Sequence, residues 1–149
     1  MFNALNDKEF LKKLDNTKEK QTYIRLTSLD NNNNYLEALE GRATGGSINI
    51  DGASALRRSC SLSLVAFEDE EFEEDEIPIT DAYWGLKNRF ILEVGIKNTI
   101  NPNYPDIIWF KQGHFLVNNF NFNININGGI NINISGQDKM AMLNGTIGG

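Results

Sequence analysis

The run Phe120-Asn-Phe-Asn-Ile-Asn-Ile-Asn-Gly-Gly-Ile-Asn-Ile-Asn-Ile134 decides how this chain folds. Phe120, Phe122, Ile124 and Ile126 alternate with Asn121, Asn123, Asn125 and Asn127. After Gly128-Gly129 the alternation resumes as Ile130, Ile132 and Ile134 against Asn131 and Asn133. A period of two sends the apolar side chains to one face of a strand and the amides to the other. The Gly-Gly pair is a two-residue hairpin signal. The run therefore reads as an antiparallel hairpin with one apolar face and one neutral, hydrogen-bonding face. A catalytic strand normally carries titratable groups and this one carries none, so its chemistry is that of pairing and packing.

Composition agrees. A chain of 149 residues forms one domain and buries roughly 70% of its unfolded surface. A hydrophobic fraction of 40% with 10% aromatics supplies a core and argues against wholesale disorder. Asn occupies 21 positions, a bias that carries no functional weight alone. No stretch approaches the length of a transmembrane helix, and the residues after Met1 lack the charged-then-apolar pattern of a signal peptide. The single cysteine, Cys60, rules out an intrachain disulfide and fits a reducing compartment.

The net charge of −6 is concentrated in one place. Residues 68–76 hold eight of the 20 acids, leaving 12 acids against 14 bases elsewhere. Such a block self-repels and reads as a solvated loop, with an interaction tail for a basic partner as the sharper reading. It lacks the Gly and Asn spacing of a calcium loop.

Along the chain, Asn6 or Asp7 caps a short helix whose stripe is Phe10, Leu11 and Leu14, ending at Asn16-Thr17. Strands follow at Thr22–Leu29, Tyr35–Gly41, Ser47–Ile50 and Ser59–Ala66. Asp30 to Asn34 and Asp51-Gly52 form turns. Ile79 to Lys87 has helix or turn character around Tyr83 and Trp84. Arg89–Ile96 is a strand, and Asn98–Asp106 is a loop holding two of the three prolines. Ile107–Phe110 and His114–Val117 are strands around a Lys-Gln-Gly turn. After the hairpin, Asp138–Leu143 is helical and Asn144-Gly145 caps it. About eight strands with two short helices predict a mainly β fold, an antiparallel barrel or sandwich. Residues 1–21 are expected to form an N-terminal helical arm and 22–149 the β domain, with further domains expected beyond 149.

Catalytic and ligand-binding patterns are sparse. His114 and Cys60 are the lone members of their types, short of the four ligands of a zinc site. Cys60 reads as a small buried hydrophobe, and a Cys-His dyad has no sequence support. Gly41 to Gly46 lacks the Lys-Ser pair of a phosphate loop. No basic stripe with interleaved aromatics points to nucleic acid. No cofactor, metal or membrane partner is expected, and we expect no enzyme. Two segments resist a bland reading. Arg57-Arg58 points to opposite faces at a strand start, and reads either as two solvated arginines or as one arginine bridging an acid within the domain or across a subunit contact. Ile107-Ile-Trp-Phe110 is apolar enough to be buried on both faces or covered by a partner.

Four segments, in order, resemble tail proteins of tailed bacteriophages: Gly46-Ser-Ile-Asn-Ile-Asp-Gly-Ala-Ser-Ala-Leu-Arg-Arg-Ser-Cys-Ser-Leu-Ser-Leu64, Trp84-Gly-Leu-Lys-Asn-Arg-Phe90, Ile107-Ile-Trp-Phe-Lys-Gln-Gly113 and Ser135-Gly-Gln-Asp-Lys-Met-Ala-Met-Leu-Asn-Gly145. The resemblance covers residues 40–149, and its weight lies in the joint occurrence. It implies a virion structural protein: a baseplate or tail-hub component with a tube-like barrel joining tail tube to spike and baseplate, made in the host cytoplasm. Members are usually longer; the acidic insertion and the Asn-rich hairpin depart from their pattern. The implied partners are tail tube, spike and baseplate wedge proteins and further copies in a trimeric or hexameric ring. The contact candidates are Arg57, Arg58, Trp109, Phe110, Phe122, Ile124, Ile126, Ile130, Ile132, Asp138 and Lys139. A wedge component is the alternative within the family. A carbohydrate- or receptor-binding β domain using Asn amides with Trp84 or Trp109 competes with it. So do a tail-attached peptidoglycan hydrolase and a non-viral contractile injection device.

Overall fold

The computed structural model describes residues 6–18, 20–53, 57–66, 81–85, 88–125 and 129–143. The acidic block 68–76, Ile126 and Asn144-Gly145 lie outside them. Six antiparallel strands close into a barrel in the order β1-β2-β3-β6-β5-β4. They are β1 Thr22–Leu29, β2 Tyr35–Ile50, β3 Arg58–Ala66, β4 Arg89–Lys97, β5 Ile107–Ile124 and β6 Ile130–Gln137. Helices α1 (Lys8–Asp15) and α2 (Met140–Leu143) flank them. The alternative between barrel and sandwich resolves as a barrel.

The expected strands fuse. Tyr35–Gly41 and Ser47–Ile50 are one 16-residue strand, and the two strands expected within Ile107–Val117 continue into the hairpin arm as one of 18. The glycines between them are bulges rather than turns. The register slips between Ala43 and Gly45 on β2, and opposite Leu92/Glu93 on β5. Gly46 (φ 137°) and Gly113 (φ 143°) take the positive φ that spares only glycine from strain. A bulge bends a strand without ending it, so each long strand turns from one side of the barrel to the other.

The hairpin register also differs. A two-residue Gly128-Gly129 turn pairs Asn127 with Ile130 and so mixes amides with isoleucines on both faces. The observed ladder pairs Ile124 with Ile130, Phe122 with Ile132 and Asn121 with Asn133, and the Asn125 N–H donates to the Gly129 carbonyl at 2.8 Å. Like faces like, so the apolar face stays whole. The two-fold period of side-chain direction outweighs the local turn preference.

Strands β1-β2-β3 and β4-β5-β6 form two similar meanders, of 8, 16 and 9 residues and of 9, 18 and 8. They join through β1 to β4 and β3 to β6, as an approximate two-fold requires. Alternate residues of all six strands meet inside. Leu26, Leu64, Phe90, Leu92, Phe115, Val117 and Ile132 are at most 1% exposed. The Phe90 and Phe115 rings stack at 5.6 Å.

Two elements stop gaps in the wall. Trp84, from a 3-10 turn at Asp81–Trp84, stacks on Phe120 at 5.1 Å and donates its indole N–H to Glu37 at 2.6 Å. Helix α1 packs Phe10 and Leu14 against Tyr104 and Ile108. Asp7 caps this helix, accepting from the Glu9 and Phe10 N–H groups at 3.0 Å and from the Tyr104 hydroxyl at 2.9 Å. The Phe10 N–H first, then the Tyr104 hydroxyl, hold its carboxyl below the usual range.

Two outcomes are expected. In urea unfolding, Ile132→Ala costs about 2–5 kcal/mol, whereas Ile124→Ala stays within about 0.5 kcal/mol because the side chain is exposed. Because the Asp7 carboxyl is depressed in the folded state, its contribution is complete above the ordinary carboxylate value of about 3.9. It is lost as pH falls through the lower folded value. Acid titration followed by the NMR shifts of the Phe10 and Tyr104 rings should show α1 loosening below that point, and Asp7→Asn should remove the step.

Candidate assembly surface

The outward face of β2's second half, β3, β6 and β5's second half is built from serine and asparagine. On β3 it presents Ser59, Ser61 and Ser63, the residues between buried Cys60, Leu62 and Leu64. Opposite them on β6 lie Ser135 and Asn133, followed by Asn131. These pair onward with Asn119, Asn121 and Asn123 of β5. Ser47 and Asn49 of β2 complete the wall against Ser61 and Ser59. The Ser63 hydroxyl donates to Asn133 Oδ1 at 2.7 Å, and Asn133 Nδ2 donates to Asn121 Oδ1 at 3.2 Å. A three-strand amide ladder thus runs across the sheet. None of these side chains bears charge, so the face is wettable without an ionic preference.

Both flanks of this wall are open. β1 pairs with β2 as far as Arg42, which leaves Ala43–Ile50 with β3 alone. β4 pairs with β5 from Ile107 to Leu116, and the Val117 N–H reaches the Asn88 carbonyl, which leaves Asn118–Ile124 with β6 alone. Among the described residues no strand pairs with either edge. Three large apolar side chains sit at the ends of these long strands, Tyr35, Ile50 and Ile124, at 65%, 66% and 55% exposure. Unpaired backbone beside exposed apolar side chains is the chemistry of strand addition.

The wall around β1 differs. Arg25 lies between Glu40 and Glu93, Nη1 to Glu93 Oε2 being 3.5 Å, with its guanidinium 4.1 Å from the centre of the Trp109 ring. Trp109 is thereby covered on one face by the chain's own arginine. Ile108 and Phe110 meet α1 on the other side of the strand. Within the Ile107–Phe110 run Ile108 is buried and the other three side chains are half-buried.

The contact candidates separate. Ile130 and Ile132 point into the barrel and serve its core, and Phe122 packs against that core. Ile124 is exposed on an open edge. Arg57 is exposed. Arg58 is exposed too, and its Nη1 donates to the Gln112 carbonyl at 3.0 Å. Asp138 instead accepts from the Arg58 backbone N–H, and its own N–H returns to the Arg58 carbonyl, both at 3.0 Å. Asp138 also caps α2 through the Met140 N–H, and Lys139 is exposed. Trp84, a candidate sugar platform in the sequence, is 2% exposed and fills the wall instead.

Cys60 points into the core, and burial pushes its thiol up to about 12. His114 precedes core-facing Phe115 and so takes the opposite face of its strand. Its pKa is lowered by partial burial and by Lys111, Lys139 and Arg89. The two form no dyad. Among the described residues no group of three or more His, Cys, Asp and Glu could hold a metal ion, and no helix is long and apolar enough to cross a membrane.

No protein-family model and no curated protein sequence matches this chain. Among solved structures, a chain of the lidless PdpA–VgrG complex aligns with a TM-score of 0.45 and 13% identity. The match covers 85% of this chain and 21% of that one. A TM-score below 0.5 carries no functional weight, so function is read from the geometry of this chain.

The Cys60 environment has a direct consequence. At about pH 8 a thiol-specific reagent should leave the native chain unlabelled and label it fully once unfolded. Rapid labelling of the native chain would contradict a buried thiol.

Proposed function

We propose that this chain is a structural component of a tailed-phage or phage-tail-like assembly, a hub protein whose copies form a ring joining tail tube to spike and baseplate. In this reading it catalyses nothing, holds no cofactor, assembles in the host cytoplasm and resides in the virion tail. The observation that carries the reading is the four-strand serine-asparagine wall with an open edge on each flank. The two edges differ in sequence and lie on opposite sides of one sheet. Copies that join through them meet head to tail, and such contacts close into a ring when the rotation per copy divides the circle. The wall then becomes continuous, neutral and wet, while the apolar side chains stay beneath it. The family resemblance in the sequence supplies the tail context and the partners.

Trp84 is packed into the barrel and one face of Trp109 lies under Arg25, which disfavours these two rings as platforms for a glycan.

Electron cryo-microscopy of the full chain, alone and with co-purifying proteins, tests the proposal. A ring of three or six copies about a tail axis is expected. A chain that remains monomeric at high concentration and in its native particle would overturn it.

A further inference from the structure

We propose that the cleft beside the open edge of β2 is the seat for Ile124 of a second copy of this chain, an inference that rests on the ring-forming reading above. The barrel wall has two gaps related by the approximate two-fold of its meanders. One, between Glu37 on β2 and Phe120 on β5, is filled by Trp84. The other lies between the second half of β2 and the first half of β5. Helix α1 covers its β5 side through Phe10 and Leu14 on Ile108. Its β2 side remains a cleft of about 440 Å³, whose apolar lining is Ile24, Ala43, Ile48, Leu62 and Val94. Among the described residues no charged side chain lines it.

Three properties of the cleft select its occupant. Its lining is apolar apart from Thr22, Thr44 and Ser47, so it takes an aliphatic or aromatic side chain. It carries no charge, so a neutral segment enters without leaving an ion unpaired. It borders the unpaired Ala43–Ile50 edge, so the entering segment must be extended and must offer free backbone. Asn118–Ile124 of β5 meets all three: it is uncharged, it is unpaired on one flank, and Ile124 is 55% exposed at its end.

This segment cannot serve its own cleft. The order β2-β3-β6-β5 puts the two edges on opposite flanks of the sheet, about 14 Å apart at the usual strand spacing. A second copy brings them together. In that order β2 and β5 run in opposite directions, so the added pair is antiparallel like every other pair in the barrel. Ile48 pairs with core-facing Cys60, and Ile124 with core-facing Ile130. The joined sheet therefore presents Ile48 and the second copy's Ile124 on the same face, over the cleft.

Disulfide trapping in the full chain tests this, with Cys60→Ala removing the native thiol. Ile48→Cys is combined with Ile124→Cys, or Asn49→Cys with Asn123→Cys on the opposite face of the same joined strands, and oxidised. Either double variant should give a covalent ladder on a denaturing gel, ending at the ring size. Asn49 and Asn123 are exposed, so their pair keeps the test valid if Ile48→Cys fails to fold. Ile124→Asp should weaken assembly about tenfold or more with an unchanged melting temperature. A wild-type ring without a ladder from either pair would overturn the docking and leave the ring reading standing. Dimers from Ile124→Cys alone, stopping at two, would show a self-complementary contact and overturn it as well. A wild-type chain without a ring would overturn both.

Discussion

The structure depends on one constraint: β2 and β5 each serve two sides of the barrel. Each is long enough to pair on one flank along half its length and on the other flank along the rest. Bulges at Ala43/Gly45 and beside Gly113 let the strands bend without breaking the ladder. Short strands β1, β4, β3 and β6 then close the cylinder in two facing pairs. The same sharing that closes the barrel leaves each half of the long strands with one strand neighbour among the described residues. Closure and open edges are consequences of a single geometry.

Side-chain chemistry sorts onto the two walls that result. The β1–β4 wall carries Arg25 between two glutamates over Trp109, a set of contacts satisfied within the chain. The β3–β6 wall carries serines and asparagines that bond to one another along the ladder. A neutral wall suits a surface continued by other copies, because joining it edge to edge desolvates no fixed charge. The gaps between the walls follow the same logic. Trp84 and α1 fill them with apolar bulk from the chain itself, except at the β2 cleft.

Much of this was legible in the sequence, and the misreadings have identifiable causes. Strict alternation in Phe120–Ile134 gave the strands and their buried face, and Ser59–Leu64 showed the same period that extends the neutral wall. A two-residue turn at Gly128-Gly129 sets a local signal above face matching, and the register of Ile124 with Ile130 follows the faces. Pairing asparagine with asparagine would have corrected the register. Gly113 of β5 reads as part of a turn because a bulge and a turn share the same residues. The mid-strand slips that distinguish them depend on partners distant in sequence. Trp84 looked available because its ring partner, Phe120, is 36 positions away, and the Glu37 that holds its indole is 47 positions away. The open edges were invisible for the same reason. A single sequence displays what a strand is made of, not which flank lacks a neighbour.

The central claim is that the edges at Ala43–Ile50 and Asn118–Ile124 become paired when copies assemble. Backbone hydrogen exchange, compared between dispersed and assembled protein, measures this directly. The account predicts protection gained at alternate amides of both edges on assembly, with β1 and β4 unchanged. Equal exchange at both edges in the two states, alongside protection gained elsewhere, would contradict it.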